Sequence, residues 1–214
     1  MPISSQINSI DPTRPVVALT FDDGPGIYTS RILDTLQQHG GRVSFFVMGS
    51  NINEHKNKIF RAMQMDCDVI CHAWDHSDLT QLSGNAIKKQ LADTIAAIET
   101  ITGKAPPMFR PPHGFVNKKV LKISRKLGLA TVFWSVDPMD WMVRDADAVY
   151  SYIMENVKDE DIVLCHDVHE TTAVAMSRVI PQLIAQGYQL VTVTQLLTKK
   201  YGKIIPGEMY CKLS

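Results

Sequence analysis

Residues 16–25 read Val-Val-Ala-Leu-Thr-Phe-Asp-Asp-Gly-Pro. The run opens on apolar, β-rich residues, and Gly24-Pro25 forces the chain to turn directly after two adjacent carboxylates. The pattern predicts a strand whose end carries Asp22 and Asp23, and neighbouring side chains of an extended segment point in different directions. One carboxylate can then bind a metal ion while the other approaches water. A turn that caps the following helix is the alternative interpretation.

Strand-like and helix-like segments alternate along the rest of the chain. Apolar residues recur at helical spacing over 28–39, before two glycines stop the pattern. Six further short apolar runs predict strands, separated by helical patterns: 43–47, 69–71, 108–109, 130–136, 162–165 and 189–193. Regular alternation of this kind is typical of parallel strands joined by crossover helices.

Periodicity alone fits both a barrel and an open doubly wound sheet. Polar residues follow the ends of five different strands: Asp22-Asp23, His72, Arg110, Asp140 and His166. An open sheet concentrates its site at one switch point, whereas a barrel gathers catalytic groups from many strands at one rim. The sequence therefore predicts an α/β fold, a distorted, incomplete (β/α) barrel with about seven parallel strands.

Length and charge indicate how many domains the chain has and which partners it lacks. The 214 residues fit one domain, with 1–15 expected as an N-terminal extension or linker, 16–200 as the catalytic domain and 201–214 as a C-terminal tail. Lysine and arginine together number 22 and so do aspartate and glutamate, and no basic block occurs, so we expect no nucleic-acid partner. No apolar run approaches the ~18 residues of a membrane span.

The cysteines do not form a dense framework. Their positions are Cys67, Cys71, Cys165 and Cys211. Spacing of this kind argues against a disulfide scaffold and favours buried free thiols, with a single bridge such as Cys67 to Cys211 left open.

His72 and His76 lie four residues apart, directly after the strand at 69–71, where a helical turn or a tight loop can aim both imidazoles at one point. With Asp23 they make a set of three nitrogen and oxygen ligands, the arrangement of catalytic zinc with an open position. A pair of surface histidines is the simpler alternative. Two histidines and a carboxylate also describe the facial triad of non-haem iron oxygenases.

Five motifs together resemble the polysaccharide deacetylases, the carbohydrate esterases that include chitin deacetylases, peptidoglycan N-acetylglucosamine deacetylases and acetylxylan esterases. They occur in the order of that family: Thr20-Phe21-Asp22-Asp23-Gly24-Pro25, His72-Ala73-Trp74-Asp75-His76, Arg110-Pro111-Pro112-His113-Gly114, Asp137-Pro138-Met139-Asp140-Trp141 and Leu164-Cys165-His166-Asp167. The resemblance covers nearly the whole chain and identifies 16–200 as a polysaccharide deacetylase domain.

The resemblance implies a metal-dependent hydrolase. One divalent ion, Zn²⁺ first and Co²⁺ as the alternative, is expected on Asp23, His72 and His76. The remaining residues carry the catalytic and binding roles: Asp22 as general base, His166 as general acid, Arg110 and Asp140 as their respective partners, the backbone N–H of His113 at the oxyanion, and Trp141 and Leu164 as the wall around the acetyl methyl. Strand alternation places Leu164 and His166 on one face and Cys165 on the other.

The implied substrate is a polysaccharide or oligosaccharide with N-acetylglucosamine units, of the peptidoglycan or chitin type. Acetylated xylan is the alternative within the same chemistry, and a saccharide-binding homologue without turnover is a third hypothesis. Ala73 stands where the family commonly has threonine or serine, and His113 where tyrosine is usual. No leader is visible in 1–14, so a secreted or wall-facing location follows from function alone, with the cytoplasm as alternative. A monomer is expected.

Overall fold

The parallel sheet is the frame on which all other elements are built. A computed structural model describes residues 10–211 of the chain. Its strands are β1 (Val16–Asp22), β2 (Ser44–Val47), β3 (Asp68–Cys71), β4 (Met108–Phe109), β5 (Ala130–Val132), β6 (Asp161–His166), β7 (Gln189–Leu190) and β8 (Met209–Tyr210). The order is β6-β1-β2-β3-β4-β5-β8, with β7 on β1, and the pairings between these strands are parallel.

Helices connect the strands. They are α1 (Thr29–His39), α2 (Gly49–Ile52), α3 (Lys56–Gln64), α4 (Gly84–Thr102), α5 (Lys118–Lys126), α6 (Asp140–Val143), α7 (Ala146–Asn156), α8 (Glu170–Ala185) and α9 (Val193–Tyr201), with 3₁₀ turns at Leu79–Gln81 and Pro112–Gly114. The long α4 begins where the Ser83 hydroxyl accepts a hydrogen bond from the N–H of Ala86, and it ends at Gly103 in the left-handed conformation. No helix among residues 10–211 is long and apolar enough to cross a membrane.

The sheet curls until the segment that follows β5 meets β6. Val136, beyond the end of β5, forms an isolated parallel bridge with Val163 of β6. The N–H of Leu164 donates to the carbonyl of Val136 at 2.9 Å. A ring that closes through a single bridge is a distorted, incomplete barrel, so the predicted fold class is confirmed.

Alternation along the strands divides the apolar core into two clusters. Val16 and Ala18 face the barrel interior, whereas Val17 and Leu19 pack beneath the helices. Thr20 and Asp22 continue the interior series, which carries Asp22 to the carboxyl rim. Leu164 belongs to the interior cluster and Cys165 to the outer one, as the alternation predicts.

Three boundaries differ from the sequence-based expectation. The strand predicted at 130–136 ends at Val132, and the chain then reaches Val136 as irregular backbone. The strand predicted at 189–193 ends at Leu190, because Thr192 and Gln195 form a capping box that starts α9. Within 201–214, predicted as a tail, Met209–Tyr210 adds a strand to β5.

Candidate active site

A cavity of about 490 Å³ opens at the carboxyl rim of the barrel. Eight of the ten residues singled out from the sequence line it: Asp22, Asp23, His72, His76, His113, Trp141, Leu164 and His166. The other two, Arg110 and Asp140, are fully buried behind it and hydrogen bond to Asp22 and His166. The structure therefore brings all ten to one place.

Asp22 ends β1 with its carboxylate inside the barrel and is almost wholly buried. Nη1 of Arg110 donates to Oδ1 of Asp22 at 2.7 Å and to the hydroxyl of Thr20 at 2.7 Å. The guanidinium also donates to the carbonyl of Phe133 at 2.9 Å and lies 3.9 Å from the ring centroid of Phe46. Arg110 is thus held on several sides, and its charge pairs with Asp22.

Three potential ligand atoms converge beside Asp22. Nε2 of His72 lies 3.3 Å and Nε2 of His76 lies 3.2 Å from Oδ1 of Asp23, and one atom from each residue lies within 4.8 Å of the other two. Nδ1 of His72 is 2.8 Å from the carbonyl oxygen of Arg110. Because a carbonyl only accepts, Nδ1 carries the proton and Nε2 keeps its lone pair for a ligand.

These three residues fit a cation. Oδ1 of Asp23 is buried and accepts no hydrogen bond within the described part of the chain. Burial raises the pKa of Asp23, but the close contact with His72 and the charges of the two histidines outweigh it and lower the pKa overall. Burial lowers the pKa of His72, whereas Asp22 and Asp23 raise it, with a net upward shift. The site therefore favours positive charge, which a divalent ion would supply on Asp23, His72 and His76.

The loop from 72 to 76, and not a helical turn, brings the two histidines together. The carbonyl of Ala73 accepts a hydrogen bond from the N–H of Gly49, and Oε1 of Gln90 accepts one from the N–H of Trp74 at 2.8 Å. Both bonds use backbone groups of residues 73 and 74, so they form without a hydroxyl group on the side chain of residue 73.

Left-handed backbone is concentrated around the cavity. Non-glycine residues with positive φ at or beside it are Asp23, Ala73, His76, His113 and Met139. Each is an unfavourable conformation that the surrounding contacts must maintain. Such positions commonly accompany functional sites.

His166 forms the opposite side of the cavity. Its Nδ1 lies 2.7 Å from Oδ1 of Asp140, and its backbone N–H donates to Oδ2 of Asp140 at 2.8 Å. The hydroxyl of Thr172 donates to the same Oδ2 at 2.6 Å. Burial lowers the pKa of His166, but the hydrogen bond and charge of Asp140 exceed that effect and raise the pKa to about 9.

Apolar side chains complete the wall. Leu164 is 4 % exposed at the base, whereas Trp141, at 46 %, stands at the rim. The ring of His113 packs on that of His76, with centroids 4.4 Å apart, and on that of Phe115. The wall can therefore accept a small apolar group beside the ligand set.

Sequence reasoning missed several contributors. Pro111, Gly114, Phe115, Trp134 and Asp137 line the cavity, and Thr172 orients Asp140. Pro111, Gly114 and Asp137 lie within the motifs at 110–114 and 137–141, but no role was predicted for these three residues. Trp134 and Phe115 adjoin irregular backbone, and Thr172 lies in the first turn of a helix, so no periodic signal marks them.

Comparison with known families gives a match over residues 9–132, to the model described as polysaccharide deacetylase. Among curated proteins, the peptidoglycan-N-acetylmuramic acid deacetylase PdaC of Bacillus subtilis is 40% identical over 189 residues. The peptidoglycan-N-acetylglucosamine deacetylase PgdA of Listeria monocytogenes is 38% identical over 189 residues. Each alignment covers 88% of this chain, which spans only 40% of the length of either relative.

Solved structures show the same fold. The structure of PdaC from Bacillus subtilis superposes with a TM-score of 0.86 at 38% identity, covering 90% of this chain and 95% of that one. A family 4 acetyl xylan esterase from Clostridium thermocellum, in complex with a cobalt ion, gives a TM-score of 0.84 at 32% identity, covering 92% and 98%. Similarity therefore extends over nearly the whole barrel.

Proposed function

The chain belongs to the polysaccharide deacetylase family, and we propose that it is a metal-dependent hydrolase that removes acetyl groups from the amino sugars of peptidoglycan. One observation carries the proposal. The buried carboxylate of Asp22 lies between Arg110 and the Asp23, His72 and His76 set, and the same cavity is lined by His166. A base, an ion site and an acid at one cavity are the groups that amide hydrolysis needs.

We propose Zn²⁺ as the ion, with Co²⁺ as the alternative, because two imidazoles and one carboxylate form the three-ligand set of catalytic zinc. A bound ion would supply Lewis acidity toward water and the acetyl carbonyl. This assignment makes Asp23, His72 and His76 the ligands.

Asp22 is the general base. Arg110 engages its Oδ1, which leaves Oδ2, 3.7 Å from Nε2 of His72, directed toward the ligand set. A water molecule at that point can give its proton to Oδ2 while it attacks the acetyl carbonyl. The hydrogen bond and the charge of Arg110 hold the carboxylate in this orientation.

His166 is the general acid. Its Nδ1 is occupied by Asp140, so Nε2 is the atom that can deliver a proton to the substrate. A raised pKa near 9 keeps the ring protonated at neutral pH. An amine leaves poorly unless it is protonated, so a donor is needed as the C–N bond breaks.

The remaining wall residues bind the acetyl group. The backbone N–H of His113 stabilises the developing oxyanion, and Leu164 and Trp141 enclose the methyl. Since the role of His113 is a backbone one, its imidazole alters contacts to the sugar without removing the donor.

Sequence similarity to two peptidoglycan deacetylases supports a wall polymer as substrate. That polymer lies outside the cell membrane, so we propose that the domain acts there, as a monomer. Similarity to an acetyl xylan esterase supports O-acetyl hydrolysis of xylan as the second candidate. An ester leaving group needs less protonation than an amine, so the buried His166–Asp140 pair favours the amide substrate.

Acetate release tests these alternatives directly. Purified protein with one equivalent of zinc is incubated with peptidoglycan fragments, an N-acetylglucosamine oligomer and acetylated xylan. We expect the highest kcat/KM on peptidoglycan fragments. A preference for xylan would replace the amidase with an esterase, and saccharide binding without acetate from any of the three would establish the homologue without turnover.

A further inference from the structure

A third buried carboxylate, Asp167, follows His166 and has no part in the mechanism above. It is fully buried. Its Oδ2 accepts a hydrogen bond from the hydroxyl of Thr29, and that hydroxyl accepts one from the N–H of Gly26 at 2.8 Å. Asp167 therefore connects the end of β6 to the turn that follows β1.

The same carboxylate packs directly against Gly24. A Cβ added to Gly24 would lie 2.3 Å from Oδ1 and 2.4 Å from Oδ2 of Asp167. Gly24 does not have a positive φ, so its backbone admits a side chain and the carboxylate is what excludes one. Because Gly24 follows Asp23, this contact sets how closely the turn approaches β6.

The opposite side of the turn is held by other groups. Nδ2 of Asn51 donates to the carbonyl of Asp23 at 2.9 Å, and the N–H of Met48 donates to the carbonyl of Gly24 at 2.8 Å. The turn is thus enclosed between the segment after β2 and Asp167. β1 and β6 pair directly up to Asp22 and His166, and Asp167 extends that connection to the turn beyond Asp22.

Burial of this carboxylate has an energetic cost. Desolvation raises the pKa of Asp167 to about 7, despite the hydrogen bond from Thr29. Its Oδ1 has no hydrogen-bond partner among the described residues. Well-packed apolar groups often stabilise such positions better than a buried charge does, so fold stability alone does not account for an aspartate here.

We propose that Asp167 is a positioning residue that holds the turn beyond Asp22, which begins with the ligand Asp23, in register with His166, through Thr29 and through contact with Gly24. The proposal rests on the proposed function, because the register matters only if Asp22, Asp23 and His166 are base, ligand and acid of one reaction. Asp167 touches neither the cavity nor a ligand atom and acts through the turn.

The test compares Asp167→Ala with Asp167→Asn. Loss of a residue that supports ligands typically weakens metal affinity or activity by about 10- to 100-fold. We expect Asp167→Ala to raise the zinc Kd and lower kcat by that order while KM stays nearly constant. Asparagine keeps an acceptor for Thr29 and nearly the same volume, so Asp167→Asn should recover most of both quantities.

Asp68→Ala is the matched control. That carboxylate accepts hydrogen bonds from the hydroxyl of Ser44 and the N–H of Thr194, at the start of β3, the amino end of the sheet. Its loss should lower the free energy of unfolding without changing the zinc Kd. Equal effects of Asp68→Ala and Asp167→Ala on zinc Kd and kcat would make Asp167 purely structural and overturn the proposal.

A second pair of variants tests the proposal even if Asp167→Ala folds poorly. Gly24→Ala should weaken zinc binding through contact with Asp167, and Gly24→Ala with Asp167→Gly should recover part of the affinity. Absence of any recovery would contradict the contact. Zinc Kd is measured by chelator competition without substrate, so an inactive wild type would refute the proposed function alone. An unchanged Kd in Asp167→Ala and in Gly24→Ala would refute the positioning role.

Discussion

Arg110 lies fully buried inside the barrel, with its Nη1 atom 2.7 Å from Oδ1 of Asp22. The pair joins the ends of β1 and β4, two strands that are not neighbours in the sheet. The same guanidinium donates to the carbonyl of Phe133, directly beyond β5. One side chain thus fixes Asp22, the proposed general base, relative to three parts of the rim.

Arg110→Met should destabilise the fold because it leaves Asp22 buried without a counter-charge. Breaking such a pair costs about 3–5 kcal/mol. Asp22→Asn in the Arg110→Met background should recover part of this, since a neutral amide needs no counter-charge. Urea unfolding measures the free energy of unfolding of both variants. Lys88→Met, which removes an exposed cation, is the control and should lie within about 0.5 kcal/mol of wild type. Additive losses in the double variant would show that the two groups are not coupled.

Asp140→Asn should lower the pKa of His166 from about 9 toward its ordinary value of 6.5. Because the folded-state pKa is raised, the pair contributes stability that is complete below pH 6.5 and is lost as the pH rises through 9. NMR titration of the metal-free protein reads the pKa directly. Asp145→Asn, which keeps the cap of α7, should leave it unchanged. An identical pKa in Asp140→Asn would contradict the assigned partner.

The alkaline limb of kcat should follow the same histidine. The proposed acid role requires protonated His166, so kcat should fall as the pH passes the pKa of His166, which a bound cation should shift below 9. We expect the limb of Asp140→Asn at lower pH than that of wild type. A pH profile with no alkaline limb, or one that the substitution leaves in place, would assign the acid role elsewhere.

Zinc should stabilise the folded chain through Asp23, His72 and His76. Free zinc at 100 times its Kd adds about 2.7 kcal/mol to the free energy of unfolding. His76→Ala should lose most of this increment, whereas His39→Ala, at the end of α1, should keep it. Thermal unfolding with and without chelator measures the difference. Full stabilisation of His76→Ala would exclude His76 as a ligand.

All four cysteines are free thiols, so Cys67 and Cys211 do not form a disulfide bridge. Burial raises the pKa of Cys67 and of Cys71 to about 12, so neither forms a thiolate readily. A thiol reagent should therefore modify the half-buried Cys211 first in the native protein and four thiols after denaturation without reductant. Two thiols in the denatured sample would contradict the structure.

Much of the fold could be predicted because its strands are short apolar runs that end in polar residues. The signal fails where tertiary contacts decide. Val136 continues an apolar run yet forms only one bridge, since the chain must leave the sheet to reach Asp140. Met209–Tyr210 becomes a strand only because the edge of β5 is available to it.

The candidate site divides in the same way. Asp22, Asp23, His72 and His76 belong to compact motifs whose residue types already indicate the chemistry. Thr29 and Asp167 are ordinary residues until the fold places them together, 138 residues apart in sequence. Their contact depends on how closely the turn at Gly24 approaches Asp167, and no periodic pattern in the sequence encodes that distance.

A metal-dependent deacetylase with Asp22 as its base is tested by the rate of acetate release from an N-acetylated glycan as zinc is titrated into metal-free protein, for wild type and for Asp22→Asn. The wild-type rate should rise to a break at one ion per chain. The Asp22→Asn variant should bind one ion and be slower by about 100-fold or more. Full activity without metal, or an Asp22→Asn rate equal to wild type, would contradict this assignment.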